Sequence, residues 1–280
     1  MKKLKLFILS YLLIFCFSPV FILHAEDNPA PEEIYIAIII DDFGNHDKDV
    51  TDMLSRLSIP FTGAVIPGEP SSVLHMQQLN EHGKDVIIHI PMEAKNQKKG
   101  WNTPLSISTG LSTQQIQERV TTGIEELPLA VGVNNHMGSK ATADKRVMTT
   151  VVDIANKNNL LVIDSLTSDK SKVTEVCDEK HLNHFVRDVF LDKNNVSVDF
   201  VQKRMNDTLV IAKEKGYAIA IGHVGPSGGK NTTQGILNMV EYFESEGVKF
   251  VTIDELHQIV HKGVLIKECC PLPNAVPTTS

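Results

Sequence analysis

Ile34 to Asp49 reads IYIAIIIDDFGNHDKD: seven apolar residues in a row run directly into two adjacent aspartates, Asp41 and Asp42. Successive side chains of a strand point to opposite faces, so a strand that is apolar at every position is buried on both. It belongs at the centre of a parallel sheet with helices on either side, which restricts the chain to α/β architecture.

The remainder of the chain repeats that theme. Strands are expected at 34–40, 61–66, 85–90, 130–134, 160–163, 184–186, 217–221 and 248–251, where short β-branched runs occur. Segments with a helical period lie between them, at 47–57, 71–82, 112–127, 143–158, 197–215, 232–246 and 254–261. Gly83, Gly216 and Gly247 stand just past three of these helices, where a left-handed cap residue is wanted. So many βα units in succession, with no internal repeat or linker, predict one domain over residues 34–262 in which the sheet rolls into an irregular (β/α) barrel. The segment 263–280 carries Pro271, Pro273 and Pro277 among small polar residues and reads as a flexible tail.

The N-terminus has a different character. Lys2, Lys3 and Lys5 precede an apolar stretch from Leu6 to Leu23 that is broken by Ser18 and Pro19 and reaches a small residue at Ala25. That layout predicts a signal peptide over residues 1–25 and a leader over 26–33, hence export to the periplasm or beyond, with no stable membrane span after cleavage. The competing expectation is an uncleaved anchor, because the run approaches spanning length. Without those three lysines, 24 basic residues face 34 acidic ones, a net charge of −10, which disfavours nucleic acid as a partner. Beyond Cys16, the cysteines are Cys177 and the adjacent Cys269 and Cys270, too few for a disulfide framework but enough for one bridge to the tail.

Chemistry gathers at the strand ends. The first strand ends on Asp41 and Asp42, the third on His89 with Glu93 four residues later, the fourth on Asn134, Asn135, His136 and Ser139, the fifth on Asp164 and Ser165, and the seventh on His223. All are C-terminal ends, the rim where βα loops converge and where such folds bind and react. One polar residue there is ordinarily a satisfied structural group. Several imidazoles and carboxylates on one rim must instead neutralise each other, bind a cation, or both. Imidazole with carboxylate suits Zn²⁺, and three protein ligands with an open position make a hydrolytic site. His46, His75, His82, His257 and His261 fall in helical segments and are expected to be solvated.

The ordered set DDFG, HIPME, NNHMGS, IDS and IGHVG resembles the divergent polysaccharide deacetylases, a branch of the polysaccharide deacetylase superfamily, from Ile34 to about Leu256. The resemblance implies an irregular β/α barrel that hydrolyses N- or O-acetyl groups on an acetylated carbohydrate with a divalent metal, Zn²⁺ above all. Carried over by position, Asp41 is the general base, Asp42 a metal ligand, His89 the first histidine of a His-x-x-x-His motif, and His223 the general acid; in the mechanism this suggests, Asp164 at the end of the fifth strand would orient His223. The second motif position holds Glu93 instead of histidine. Either Glu93 or His136 then completes the metal set, His136 being preferred. Asn135, Ser139, Trp101 and Glu93 are the candidates for contacting substrate. The family's arginine-proline motif is absent from GVNNHMGSK.

Two other classes compete. One is a barrel of reduced catalytic power that binds a glycan or an envelope partner at its rim. The other is a metal-dependent hydrolase of phosphoesters or other amides, for which GHVGPSGGKNT lacks phosphate-loop spacing and reads instead as a loop over the site.

Overall fold

The computed structural model describes residues 33–96, 103–193 and 197–262. The expected signal peptide, tail, Trp101, Cys269 and Cys270 lie outside them. Among the described residues the elements alternate in chain order: β1 (Ile34–Phe43), α1 (Asp47–Arg56), β2 (Thr62–Val65), α2 (Ser72–Glu81), β3 (Asp85–Met92), α3 (Thr113–Glu126), β4 (Ala130–Met137), α4 (Lys145–Lys157), β5 (Leu161–Asp164), α5 (Val173–Glu179), β6 (His184–Val186), β7 (Val189–Phe190), α6 (Val198–Lys215), β8 (Tyr217–His223), α7 (Lys230–Ser245), β9 (Val248–Val251) and α8 (Ile253–Lys262). None of these helices is long and apolar enough to cross a membrane.

All strand pairs are parallel, in the order β6-β5-β4-β3-β2-β1-β8-β7. One edge of β1 is shared: Ile34–Ala37 pair with β9 and Ile39–Phe43 with β2. The two ends of the sheet, β6 and β7, are consecutive in the chain and separated only by Arg187 and Asp188. Two residues reach only about 10 Å between their flanking neighbours, so the sheet has to curl until its ends approach. The backbone shows this directly. Arg187 N–H donates to Asp164 O of β5 at 3.0 Å, and Asp188 N–H to Ile219 O of β8 at 2.9 Å.

Curling sorts the strand residues into two cores. Ala37, Ile39, Ala64, Ile87, Ile163, Phe185, Ile219 and Ile221 fill the barrel interior, closed at its base by Ile253 and Leu256 around the start of α8. Ile36, Ile38, Ile40, Val86, Ile88, Val162, Ala218 and Ala220 face outward onto the helices. The unbroken apolar run of β1 is thus used on both faces, and burying each of its isoleucines stabilises by roughly 1.5–3 kcal/mol. Helix ends follow their local chemistry. Ser112 and Gln115 form a capping box on α3, and Gly216 closes α6 with φ 86°, a conformation that a side chain would strain.

Three expectations need correction. The short β7 and α5 were not anticipated, being too brief for periodicity to reveal. GHVGPSGGKNT is not loop throughout: Gly225–Ser227 form a 3-10 turn and α7 starts at Lys230. His75 and His257 are buried rather than solvated. His75 is held by its position: its Nδ1 accepts from Gly44 N–H at 2.9 Å and so fixes the turn that follows β1.

Candidate metal and acid-base site

Strand parity brings the polar residues together. In β1, Ala37 and Ile39 point into the barrel, so Asp41 does too. Asp42 would ordinarily point outward. Between Ile40 and Phe43, however, the register with β2 shifts by one residue, and Asp42 takes φ 73°. Ile40 and Phe43 both stay in the outer core. The bulge therefore turns the two adjacent carboxylates towards the same end of the barrel, at a backbone strain of about 1–3 kcal/mol. A second shift between Val86 and Ile87 pairs Ile87 with Gly132. It sets Asn134 beside the inward His89 and puts His136, two residues on, on the same face. In β8, His223 pairs in register with Asp41.

The resulting contacts are close. His136 Nδ1 lies 2.9 Å and His89 Nε2 3.4 Å from Asp42 Oδ1, and the two imidazole nitrogens are 3.2 Å apart. One donor atom from each of Asp42, His89 and His136 falls within 4.8 Å of the others, a set that could hold a metal ion. Asn134 orients it. Its Nδ2 donates to Asp41 Oδ1 at 2.9 Å, which leaves Oδ1 to accept from His89 Nδ1–H at 2.6 Å. The lone pair of a neutral His89 is thereby placed on Nε2, the nitrogen facing the carboxylates, as metal-binding histidines require. Burial works against the charge of Asp42, yet the imidazoles of His136 and His89 beside it hold it well below the usual carboxylate range. Burial pushes Asp41, only 2% exposed, upward.

His223 is built for a different task. Its Nδ1–H donates to Asp192 Oδ1 at 2.7 Å, while Asp192 Oδ2 accepts from His223 N–H at 2.8 Å and from Thr232 Oγ1 at 2.6 Å. Burial favours the neutral imidazole, but the Asp192 hydrogen bond and charge outweigh it and push His223 up to about 9. Its ring is stacked on Phe190, with centroids 5.8 Å apart. Asp41, Asp42, His89, His136 and His223 all line one cavity of about 850 Å³, together with Asn45, His46, Phe190 and Lys193.

Several expected roles move. Asp164 does not orient His223. Ile163 fills the barrel interior, so its neighbour Asp164 faces the helices, where its Oδ1 accepts from Leu166 N–H at 2.8 Å. Asp192, missed because β7 is only two residues long, does the orienting. The one signal for it was the run Val189-Phe190-Leu191 ending on an acid, a faint copy of the end of β1. Glu93 is neither in the metal set nor on the cavity wall. Its Oε1 pairs with Lys140 Nζ at 2.6 Å, and its Oε2 accepts from Thr109 N–H and Oγ1, both at 2.9 Å. It ties loops together. Asn135 and Ser139 line the cavity with their polar atoms partly committed: Asn135 Nδ2 donates to Met137 O at 2.7 Å, and Ser139 Oγ accepts from Lys95 N–H at 3.0 Å.

The curled parallel barrel carries a carboxylate–imidazole cluster and a carboxylate-oriented histidine on its C-terminal rim, the layout of a deacetylase-like fold. Residues 38–257 match the family model of the divergent polysaccharide deacetylases, and the chain belongs to that family. An uncharacterized protein of Haemophilus influenzae is 33% identical over 216 residues, spanning 76% of this chain and 75% of that one. Among solved structures, an uncharacterized protein from Agrobacterium tumefaciens superposes with a TM-score of 0.74 at 18% identity, covering 80% of this chain and 89% of the other. A family 4 acetyl xylan esterase from Clostridium thermocellum, solved in complex with a cobalt ion, has the same fold with a TM-score of 0.50 at 14% identity, covering 82% and 93% of the two chains.

Proposed function

We propose that this protein is an exported, metal-dependent hydrolase that removes acetyl groups, N- or O-linked, from a carbohydrate of the cell envelope. The observation that carries the reading is the convergence of Asp42, His89 and His136 on one point, with Asp41 and His223 lining the same cavity. The donor set suits a divalent ion. Two imidazole nitrogens and one carboxylate oxygen match zinc in hardness and number, and Asn134 already fixes the tautomer of His89. When bound, such an ion supplies Lewis acidity to an acyl oxygen and makes water a stronger acid.

The rest follows from the chain's own residues. Asp41, with Oδ1 held by Asn134, keeps Oδ2 for the proton of an attacking water, and burial raises its basicity towards the range a base needs. His223, with Nδ1 committed to Asp192 and a raised pKa, carries a proton at neutral pH that Nε2 delivers to the departing amine or alcohol. Phe190 stacks on the His223 ring and lines the same cavity.

The deciding experiment is acetate release from a panel of acetylated glycans by zinc-loaded protein, run beside the Asp41→Asn and His223→Gln variants. Acetate from wild type and little from either variant is the expected result. Tight glycan binding with no acetate from any of the three would replace this reading with that of a glycan-binding barrel.

A further inference from the structure

Ser165 follows β5, where Leu161 and Ile163 pack towards the barrel interior, and the same alternation carries Ser165 inward at the mouth. It lines the cavity that holds the metal set and is 1% exposed, as deep as Asp41 at 2% and His89 at 1%. Its backbone is fixed from both sides. The N–H donates to Asn135 Oδ1 at 3.0 Å, and the C=O accepts from Arg187 Nε at 2.8 Å. The hydroxyl, by contrast, is buried with no hydrogen-bond partner among the described residues.

Neighbouring groups show how unusual that is. Thr167 donates its hydroxyl to Met137 O at 2.7 Å, and the Ser139 hydroxyl accepts from Lys95. Both serve the fold. A buried hydroxyl left unpaired costs about 1–3 kcal/mol, and alanine would fill the same space without it. A serine whose main chain is clamped by two side chains while its hydroxyl is unused is arranged for a ligand.

We propose that Ser165 is a substrate-contacting residue whose hydroxyl donates a hydrogen bond to the acyl oxygen of the ester or amide held in this cavity. The proposal rests on the deacetylase reading for the identity of the ligand. Burial selects the acyl end: a hydroxyl as little exposed as His89 is within reach of a small acyl group but not of a whole sugar ring. Charge selects an acceptor oxygen. Asp41 and Asp42 already supply the acceptors of the site, whereas an acyl oxygen that gains negative charge during attack needs donors. A serine hydroxyl moves between staggered positions about one bond, so it turns to a ligand without any backbone movement.

Zinc-loaded wild type, Ser165→Ala and Ser165→Cys are to be compared by titration with acetohydroxamate, which needs no turnover, and by acetate release. Ser165→Ala is expected to bind acetohydroxamate about tenfold more weakly. Its kcat is expected to fall by about ten- to a hundredfold, with KM within about twofold of wild type and zinc content unchanged. Cysteine keeps the volume but is a weak donor, so Ser165→Cys should behave as Ser165→Ala does, and it carries the comparison if the alanine variant fails to fold. Equal acetohydroxamate affinity across wild type and variants overturns the proposal, whatever the wild type does to glycans. A Ser165-dependent affinity in a protein that releases no acetate supports the contact and removes only the deacetylase reading.

Discussion

Asp192 Oδ1 and His223 Nδ1 lie 2.7 Å apart, and the Asp192 side chain has no exposed surface. The pair joins the end of β7 to the end of β8 and holds the imidazole protonated to about pH 9. Asp192→Asn removes the charge but keeps the shape. His223 is then expected to titrate closer to its ordinary value, and the alkaline limb of the rate profile should move to lower pH. An alkaline limb that stays in place in Asp192→Asn refutes the pairing as the source of the acid.

The same pair makes stability depend on pH with a definite sign. A histidine whose folded pKa is raised favours the folded state below its unfolded value, near 6.5, and that contribution is lost as pH rises through about 9. Thermal unfolding of wild type should therefore show a falling Tm between about pH 6.5 and 9 that is largely absent from His223→Gln.

Metal binding separates the two residues that compete for the third ligand position. Zinc content, measured by elemental analysis after loading and dialysis, should fall from one ion per chain to near zero in Asp42→Ala and His136→Ala. Glu93→Ala should keep its zinc, because both carboxylate oxygens are committed to Lys140 and Thr109, and should lose only about 1–2 kcal/mol of stability. Zinc lost in Glu93→Ala and kept in His136→Ala would reverse the assignment.

Asp41→Asn tests the division of labour between the adjacent carboxylates. It should retain the metal, since Asp41 lies outside the set of Asp42, His89 and His136. Acetate release should drop by about a hundredfold or more. Loss of zinc together with activity would show instead that Asp41 is a ligand.

Gly228 is required for space rather than for its backbone angle, because its φ of −163° suits any residue. A Cβ there would overlap Asp192 Oδ2, His223 O and Thr232 Oγ1, closer than real contacts allow. Gly228→Ala should push Asp192 off His223, costing about 1–3 kcal/mol in Tm-derived stability and most of the activity. Wild-type activity in a stably folded Gly228→Ala would mean that the Asp192 link is dispensable.

The unbroken apolar run of β1 was enough to predict a parallel sheet covered on both faces, because alternation leaves no other environment for such a strand. Every described strand but the two-residue β7 and every described helix but the seven-residue α5 was legible for the same local reason, and Gly83, Gly216 and Gly247 do take φ of 65°, 86° and 82° past their helices. The pooling of Asp41, Asp42, His89, His136 and His223 at one rim was legible as well, since parallel strands present their C-terminal ends together. What the sequence could not carry was parity and register. Asp164 and Asp192 both follow short apolar runs, yet one faces the helices and the other meets His223. Only the tertiary structure decided that, because strand faces are set by pairing with neighbours distant in the chain. The convergence of Asp41 and Asp42 likewise depends on a bulge against β2, and the side chain of Glu93 is tied to Lys140 and Thr109 instead of joining the carboxylate–imidazole cluster. Both are long-range contacts that no local pattern encodes.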